Sequence, residues 1–169
     1  TRVMPGLTEA RIAEASSMGF LMGGGGLDRF TRKMIKENEG LRLDKYTDKF
    51  GNPTIGYGHL VRPDEKIPNT ISKAYANQLF NQDYKHHKQA AMGIPGYADG
   101  SLQQKSALID LTFNMGPQWY KEFPLMMAAL QKGDYNTAAS EIKNSLYYTQ
   151  VGRRGANSVS LMKNEGVAQ

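Results

Sequence analysis

Two carboxylates and one hydroxyl stand near one another in the sequence, and their types suit the hydrolysis of an acetal. Glu39, Asp48 and Thr54 are separated by eight and five residues. Cleaving an acetal needs one carboxylic acid to protonate the leaving oxygen, and a second carboxylate to stabilise positive charge, attack or activate water. A threonine hydroxyl beside Asp48 would help to orient that water. Taken alone, however, the acids are better explained as a solvated charge at a helix end and a turn aspartate that binds its own backbone.

A helix over residues 27–38 is predicted to position the first of these groups. Apolar side chains recur there at helical spacing, and Asp28 is a suitable N-cap. Gly40 suits the position just after a helix, where the backbone turns left-handed. Glu39 is therefore expected at the last helical turn.

A hairpin is predicted to position the other two groups. Leu41, Leu43 and Tyr46 indicate an extended segment, and residues 50–53 are typical of a turn. Residues 54–60 alternate as a single strand does. Gly56 and Gly58 would leave one face of that strand without side chains, which is what a strand at the bottom of a binding groove needs.

The rest of the sequence is predicted to be helical, which makes the fold class α+β. The segments are residues 72–92, 101–114, 118–122, 124–132, 135–148 and 153–164. We expect a small mixed lobe, a long helix and a larger helical lobe. Residues 1–26 are interpreted as an appendage that ends in a flexible tetraglycine joint, and residues 27–169 as the domain.

Composition excludes several classes of protein. With 40% hydrophobic and 22% charged residues, a chain of 169 residues can bury a real core. It has no cysteine, so neither disulfides nor a Cys-ligated zinc site are possible. The net charge of +5 suits a polyanion: nucleic acid, anionic lipid or acidic wall polymers. No nucleic-acid-binding motif is present, and the most apolar run, residues 15–27, is too short and glycine-rich for a signal peptide or membrane anchor.

A wider set of segments resembles the T-even phage lysozyme family of glycoside hydrolases, from about residue 27 to residue 162. The matching segments are, in order, residues 38–43 (NEGLRL), 53–60 (PTIGYGHL), 79–83 (LFNQD), 113–116 (FNMG) and 147–154 (YYTQVGRR). Because they are specific and keep their order, the resemblance favours the catalytic interpretation of Glu39 and Asp48.

The resemblance implies a fold, a reaction and a set of roles. The family fold is α+β, with a cleft between two lobes that a long helix joins. The reaction is hydrolysis of the β-1,4 bond from N-acetylmuramic acid to N-acetylglucosamine in peptidoglycan, with inversion and with no cofactor or metal. Glu39 matches the general acid, Asp48 the second carboxylate, and Thr54 the hydroxyl that places the water. Leu60 and Phe113 match positions that touch the glycan.

Supporting residues also follow from the resemblance. Arg154 matches an arginine that pairs with the catalytic glutamate, although a solvated helix charge is the alternative. His59 and Asp83 match a structural ion pair, which is a better interpretation of His59 than a general base. Two positions depart from the family, since Met126 and Glu141 stand where we expect a serine and an asparagine that contact sugar.

Competing functions remain at this stage. One alternative is a catalytically silent module that binds peptidoglycan, and another, suggested only by charge, is a nucleic-acid binder. For the enzyme, two settings are open. It is either an endolysin held in the host cytoplasm until its release, or a wall-piercing domain carried by a virion or secretion assembly through residues 1–26.

Overall fold

Seven α-helices and three short strands follow one another in residues 25–165, the part of the chain that the structure, a computed structural model, describes. In chain order they are α1 (Gly25–Glu39), β1 (Arg42–Thr47), β2 (Pro53–Gly56), β3 (His59–Leu60), α2 (Lys73–Met92), α3 (Leu102–Met115), a 3-10 helix (Trp119–Glu122), α4 (Pro124–Gln131), α5 (Tyr135–Lys143), α6 (Leu146–Val151) and α7 (Arg153–Met162). The α+β prediction is confirmed.

The chain divides into two compact units, of which one is a single segment of the sequence and the other combines two segments. The strand unit is Arg32–His86 and contains all three strands. Among the described residues, the helical unit combines residues 25–31 with residues 87–165. Both α1 and α2 therefore contribute residues to each unit.

The strand unit is built on a three-stranded antiparallel sheet in the order β1-β2-β3. Its core includes Ile35 from α1, Ile55 from β2, and Phe80 and Tyr84 from α2. The predicted single strand over residues 54–60 is wrong. Gly56 and Gly58 have positive φ angles of 69° and 74°, so the chain reverses between them and Ile55 pairs with His59. Such φ angles cost glycine little, which explains why glycine stands at both positions.

The helical unit is organised around α3, which has buried residues along most of its length. Ser101 and Gln104 form a capping box that starts this helix, because each side chain accepts a hydrogen bond from the other's backbone N–H. The helices α3 and α5 both pack against α7. The core is completed by large apolar side chains that are almost fully buried: Leu108, Ile109, Leu111, Met126, Leu130, Ile142, Leu161 and Met162.

Two predicted helix boundaries are corrected. The first helix begins at Gly25, so Gly25 and Gly26 belong to α1 rather than to the predicted joint. Asp28 lies inside its first turn and pairs with Lys88 at 2.7 Å instead of acting as N-cap. The predicted helix over residues 135–148 is two helices, because the Ser145 side chain accepts a hydrogen bond from the backbone of Tyr148 and so starts α6.

The predicted appendage lies mostly outside the described residues. Its weak helix and the first half of the tetraglycine segment fall within residues 1–24, and the division of the chain at residue 26 stays a prediction. Within residues 25–165, every helix is too short or too polar to cross a bilayer.

Candidate active site

Glu39 is the last residue of α1, where the sequence predicted it. Gly40 follows with a φ angle of 71° and donates its N–H to the carbonyl of Lys36, which ends the helix. The Glu39 side chain lies against the backbone of Gly58. A methyl carbon built on Gly58 would lie 2.5 Å from Oε2 and 3.0 Å from Cδ of Glu39. The carboxyl group therefore occupies space that exists only because residue 58 has no side chain.

Asp48 is held by the turn that joins β1 to β2. Its Oδ1 accepts hydrogen bonds from the backbone N–H groups of Asn52 at 2.8 Å and Phe50 at 2.9 Å. The bond from Asn52 is the main reason why the pKa of Asp48 is lowered, with further help from Phe50 and the Asn52 side chain. Asp48 does bind its own turn, as the simpler interpretation expected. The same bonds keep it a carboxylate in mild acid, which suits the second group of a glycosidase.

Thr54 presents a buried hydroxyl, with 3% of the residue exposed. Its Oγ1 donates a hydrogen bond to the carbonyl of Asn52 at 3.0 Å. Because the hydroxyl proton is used there, the lone pairs of Oγ1 are directed elsewhere and can accept a hydrogen bond from water. Asn52 therefore contacts both Asp48 and Thr54. This role was not predicted, since the only signal at Asn52 in the sequence is a turn at residues 50–53.

Tyr46 on β1 connects the two carboxylates electrostatically. Burial is the largest cause of its raised pKa, and the negative charges of Glu39 and Asp48 raise the pKa further. The guanidinium of Arg42, 4.0 Å from the ring centroid, acts in the opposite direction. Both carboxylates thus lie close enough to one phenol to affect its ionisation, and all these residues belong to the strand unit.

His59 on β3 is buried between two carboxylates. Its Nδ1 lies 2.7 Å from Oδ2 of Asp83, the contact that the resemblance implied, and its Nε2 lies 3.1 Å from both carboxylate oxygens of Glu65. Burial alone would lower the pKa of His59, but the hydrogen bonds and charges of Asp83 and Glu65 raise it on balance. Both ring nitrogens are occupied, so the geometry favours a structural role over general-base catalysis. Glu65 was not predicted.

We expect His59→Asn to lower the free energy of unfolding by about 1–3 kcal/mol, with the larger deficit in mild acid. Because the folded pKa is raised, the ion pairs stabilise fully below the unfolded pKa of about 6.5, and this contribution is lost as the pH rises through the folded value. Urea unfolding at pH 5.5 and 8.5 would measure the difference. The exposed His86→Asn is the matched control, and an equal deficit at both pH values would contradict the prediction.

Arg154 on α7 has a partner within the helical unit. Its Nη2 donates to Oδ1 of Asp110 at 2.7 Å and its Nη1 donates to Oδ1 of Asn114 at 3.3 Å. Asp110 is only 2% exposed, so the arginine supplies the charge that this buried carboxylate needs. The alternative of a solvated surface charge is wrong. The expected pairing of Arg154 with Glu39 stays a prediction.

The remaining predicted contacts lie on both units. Leu60 ends β3 with about half of its surface exposed, and Phe113 on α3 packs against the ring of His87 at 4.9 Å between centroids. Their contacts with glycan stay predictions. Met126 is fully buried and Glu141 is partly exposed. Among residues 25–165, no cluster of His, Asp or Glu side chains is arranged to hold a metal ion.

Comparison with known proteins extends these observations. The family model described as phage lysozyme matches residues 36–160, which is about three quarters of the chain. The match includes Glu39, Asp48 and Thr54, and it extends into α7.

Individual relatives agree with the family model. The chain is 28% identical to the pre-baseplate central spike protein of Enterobacteria phage T4 over 73% of its own length, but it spans only 26% of that protein. It is 26% identical to the probable T4-type lysozyme 2 of Dictyostelium discoideum, covering 78% of this chain and 92% of that one. It is 30% identical to an endolysin of Acyrthosiphon pisum secondary endosymbiont phage 1, covering 64% and 71%. The chain therefore belongs to the phage lysozyme family, a family of glycoside hydrolases that act on peptidoglycan.

Proposed function

We propose that this chain is a muramidase. It hydrolyses the β-1,4 bond between N-acetylmuramic acid and N-acetylglucosamine in peptidoglycan, with Glu39 as general acid and with Asp48 and Thr54 acting on the water. The net charge of +5 supports this substrate, because bacterial walls contain anionic polymers.

The observation that carries the proposal is that two carboxyl groups lie around Tyr46 and that a turn holds one of them, Asp48, in its ionised form. Both charges raise the pKa of Tyr46, so Glu39 and Asp48 lie in one neighbourhood. Asp48 is held by the backbone N–H groups of a turn, which favour its ionised form. Because Asp48 is fixed as a carboxylate, Glu39 is assigned the role of general acid. Glycoside hydrolysis requires one carboxyl group in each of these two roles.

The reaction then proceeds in a single displacement. A water that donates one hydrogen bond to Thr54 Oγ1 and another to Asp48 attacks the anomeric carbon of N-acetylmuramic acid. The bond from that carbon to the glycosidic oxygen breaks, and the oxygen takes the proton of Glu39. Asp48 takes the proton that the water loses. Exchange of one proton with solvent restores protonated Glu39 and ionised Asp48, and attack opposite to the leaving group inverts the anomeric centre.

Analysis of the reaction products tests the proposal. Purified wall digested by the full chain is expected to gain reducing N-acetylmuramic acid ends, measured by borohydride labelling, and the first product is expected to be the α-anomer by NMR. New free amino groups without new reducing ends would indicate an amidase and contradict the proposal. Binding to wall with no product of either kind would indicate the silent binding module.

For the biological setting we favour attachment to a virion. The relative from phage T4 is named as a central spike protein, of which this chain spans 26%. Mass spectrometry of purified particles tests this choice. Finding the chain in lysate but never in particles would favour an endolysin that waits in the host cytoplasm.

A further inference from the structure

Two helices of the strand unit bring cationic side chains together. Arg32 and Lys36 stand one helical turn apart on α1, so both lie on one face of that helix. Lys73 and Asn77 have the same spacing on α2. The Nζ atom of Lys36 donates a hydrogen bond to Oδ1 of Asn77 at 3.0 Å, which brings the two faces against each other. We call Arg32, Lys36 and Lys73 the cation cluster.

Two members of the cation cluster lie over aromatic rings. The Nζ atom of Lys36 is 4.9 Å from the ring centroid of Phe80 and 5.0 Å from that of Tyr57. The Cζ atom of Arg32 is 4.8 Å from the ring centroid of Tyr84. Such contacts stabilise a cation and fix its position, but a neutral ring leaves the charge in place. The cations are therefore held at defined positions and keep their charge for a further partner.

The charge of the cation cluster has no carboxylate to balance it in the described part of the chain. Within residues 25–165, no ion pair joins any of its three members to an aspartate or glutamate. Burial is the main reason why the pKa of Lys36 is lowered, and the positive charges of Arg32 and Lys73 lower it further. Like charges one turn apart destabilise a helix, so the needs of folding do not account for the cluster.

The polar groups of the cation cluster and of Asn77 form a set of hydrogen-bond donors. An ammonium and a guanidinium carry N–H donors and no acceptor. Because Oδ1 of Asn77 accepts the bond from Lys36, the Nδ2 group of the same amide is a further donor at this position. Donors with a combined positive charge suit an oxyanion that has several acceptor oxygens, and a phosphate group is the usual partner of such an arrangement.

We propose that the cation cluster binds a phosphate group of an anionic polymer of the bacterial wall. Arg32 and Lys73 are exposed and Lys36 is half-buried, so a phosphate can reach all three from solvent. A polymer suits the site better than free phosphate, because each repeat that leaves is replaced by a neighbour at high local concentration. The cluster would thereby retain on the wall a protein whose family acts on peptidoglycan. This site goes beyond the muramidase function and does not depend on cleavage.

Calorimetry of the full chain with a synthetic glycerol phosphate oligomer tests the proposal. Arg32→Gln combined with Lys73→Gln is expected to weaken binding about tenfold or more, because two charged donors are lost. Lys66→Gln combined with Lys132→Gln removes the same charge from exposed residues outside the cation cluster. This control should bind within about twofold of the unsubstituted protein, since distant charges are screened. Inorganic phosphate at equal phosphate concentration is expected to bind at least about tenfold more weakly than the oligomer.

Each result supports or overturns a defined part of the proposal. The Arg32 and Lys73 variant should keep its thermal midpoint, because both residues are exposed, so weaker binding would not reflect unfolding. Equal weakening by the Lys66 and Lys132 control would show that net charge alone attracts the oligomer, and would overturn the site. Equal affinity for inorganic phosphate would overturn the polymer as the ligand.

The same measurements separate this site from the muramidase function. Wall clearing by a protein that does not bind the oligomer would overturn the phosphate site and leave the muramidase standing. Binding of the oligomer through the cation cluster, by a protein that releases no reducing ends from wall, would support the phosphate site and overturn the muramidase.

Discussion

Glu39→Gln is expected to slow wall clearing by about 100-fold to 10,000-fold, the usual contribution of a general acid. Glutamine keeps the shape of the side chain, so it still fits against Gly58, but its amide is too weakly acidic to protonate the leaving oxygen. Because Glu39 ends a helix and is only partly buried, the thermal midpoint should change by no more than a few degrees. Clearing of purified wall at matched protein concentration measures the rate.

The neighbouring Glu37→Gln is the control for this experiment. Glu37 lies on the same helix, is mostly exposed, and forms a 4.0 Å contact with the exposed Lys33. The Glu37→Gln substitution removes one negative charge two residues away from Glu39. This variant should clear walls at the same rate as the unsubstituted protein. Equal clearing by Glu39→Gln, with the fold intact by circular dichroism, would show that another group supplies the proton.

Gly58→Ala is expected to reduce clearing by about tenfold to 100-fold, because small displacements of a reacting group are costly. The added methyl carbon would lie 2.5 Å from Glu39 Oε2, so either the carboxyl group or the turn must move. The positive φ angle of 74° adds about 1–2 kcal/mol of backbone strain. Unfolding in urea and steady-state rates on solubilised wall would separate the two effects, with kcat expected to fall more than KM rises.

Gly133→Ala is the matched control, because it introduces the same backbone strain at a positive φ angle without a steric clash of the added methyl group. Gly133 has a φ angle of 72°, and a methyl carbon built there meets no atom within 4 Å. It should lose a similar amount of stability and keep its activity. If Gly58→Ala lost stability alone and cleared walls like Gly133→Ala, then Gly58 would serve only the turn and would not position Glu39.

The fold was largely predictable because its signals are local. Apolar periodicity located the helices, and Ser72 and Ser101 do stand at the starts of α2 and α3, where their side chains accept backbone hydrogen bonds. Asp28 was misread because an N-cap and a first-turn ion pair look alike in sequence, and Lys88, its partner, lies 60 residues away. Residues 54–60 were misread because alternation cannot distinguish one strand from two strands joined by a glycine turn.

The candidate site was predictable in its reacting groups but not in what holds them. The positions of Glu39 and Asp48 followed from residue type and from the resemblance to a family. The contacts of Gly58 with Glu39, of Asn52 with Asp48, and of Glu65 with His59 depend on how separate segments meet in space. Because glycine has no functional group, no sequence pattern could indicate that Gly58 contacts Glu39. Asp110 was missed for the same reason, since its buried pairing with Arg154 joins two helices.

The turn around Asp48 has a consequence for where the protein can work. A wall rich in phosphate and carboxylate attracts cations, protons among them, so the solution within it is more acidic than the surrounding medium. The hydrogen bonds from Asn52 and Phe50 lower the pKa of Asp48, so this group keeps its charge to a lower pH than an ordinary carboxylate does. The pKa of His59 is raised by its two carboxylate partners, so the same acidity favours its protonated form. Under the proposed function, the pH at the site of action is therefore lower than the pH of the surrounding medium.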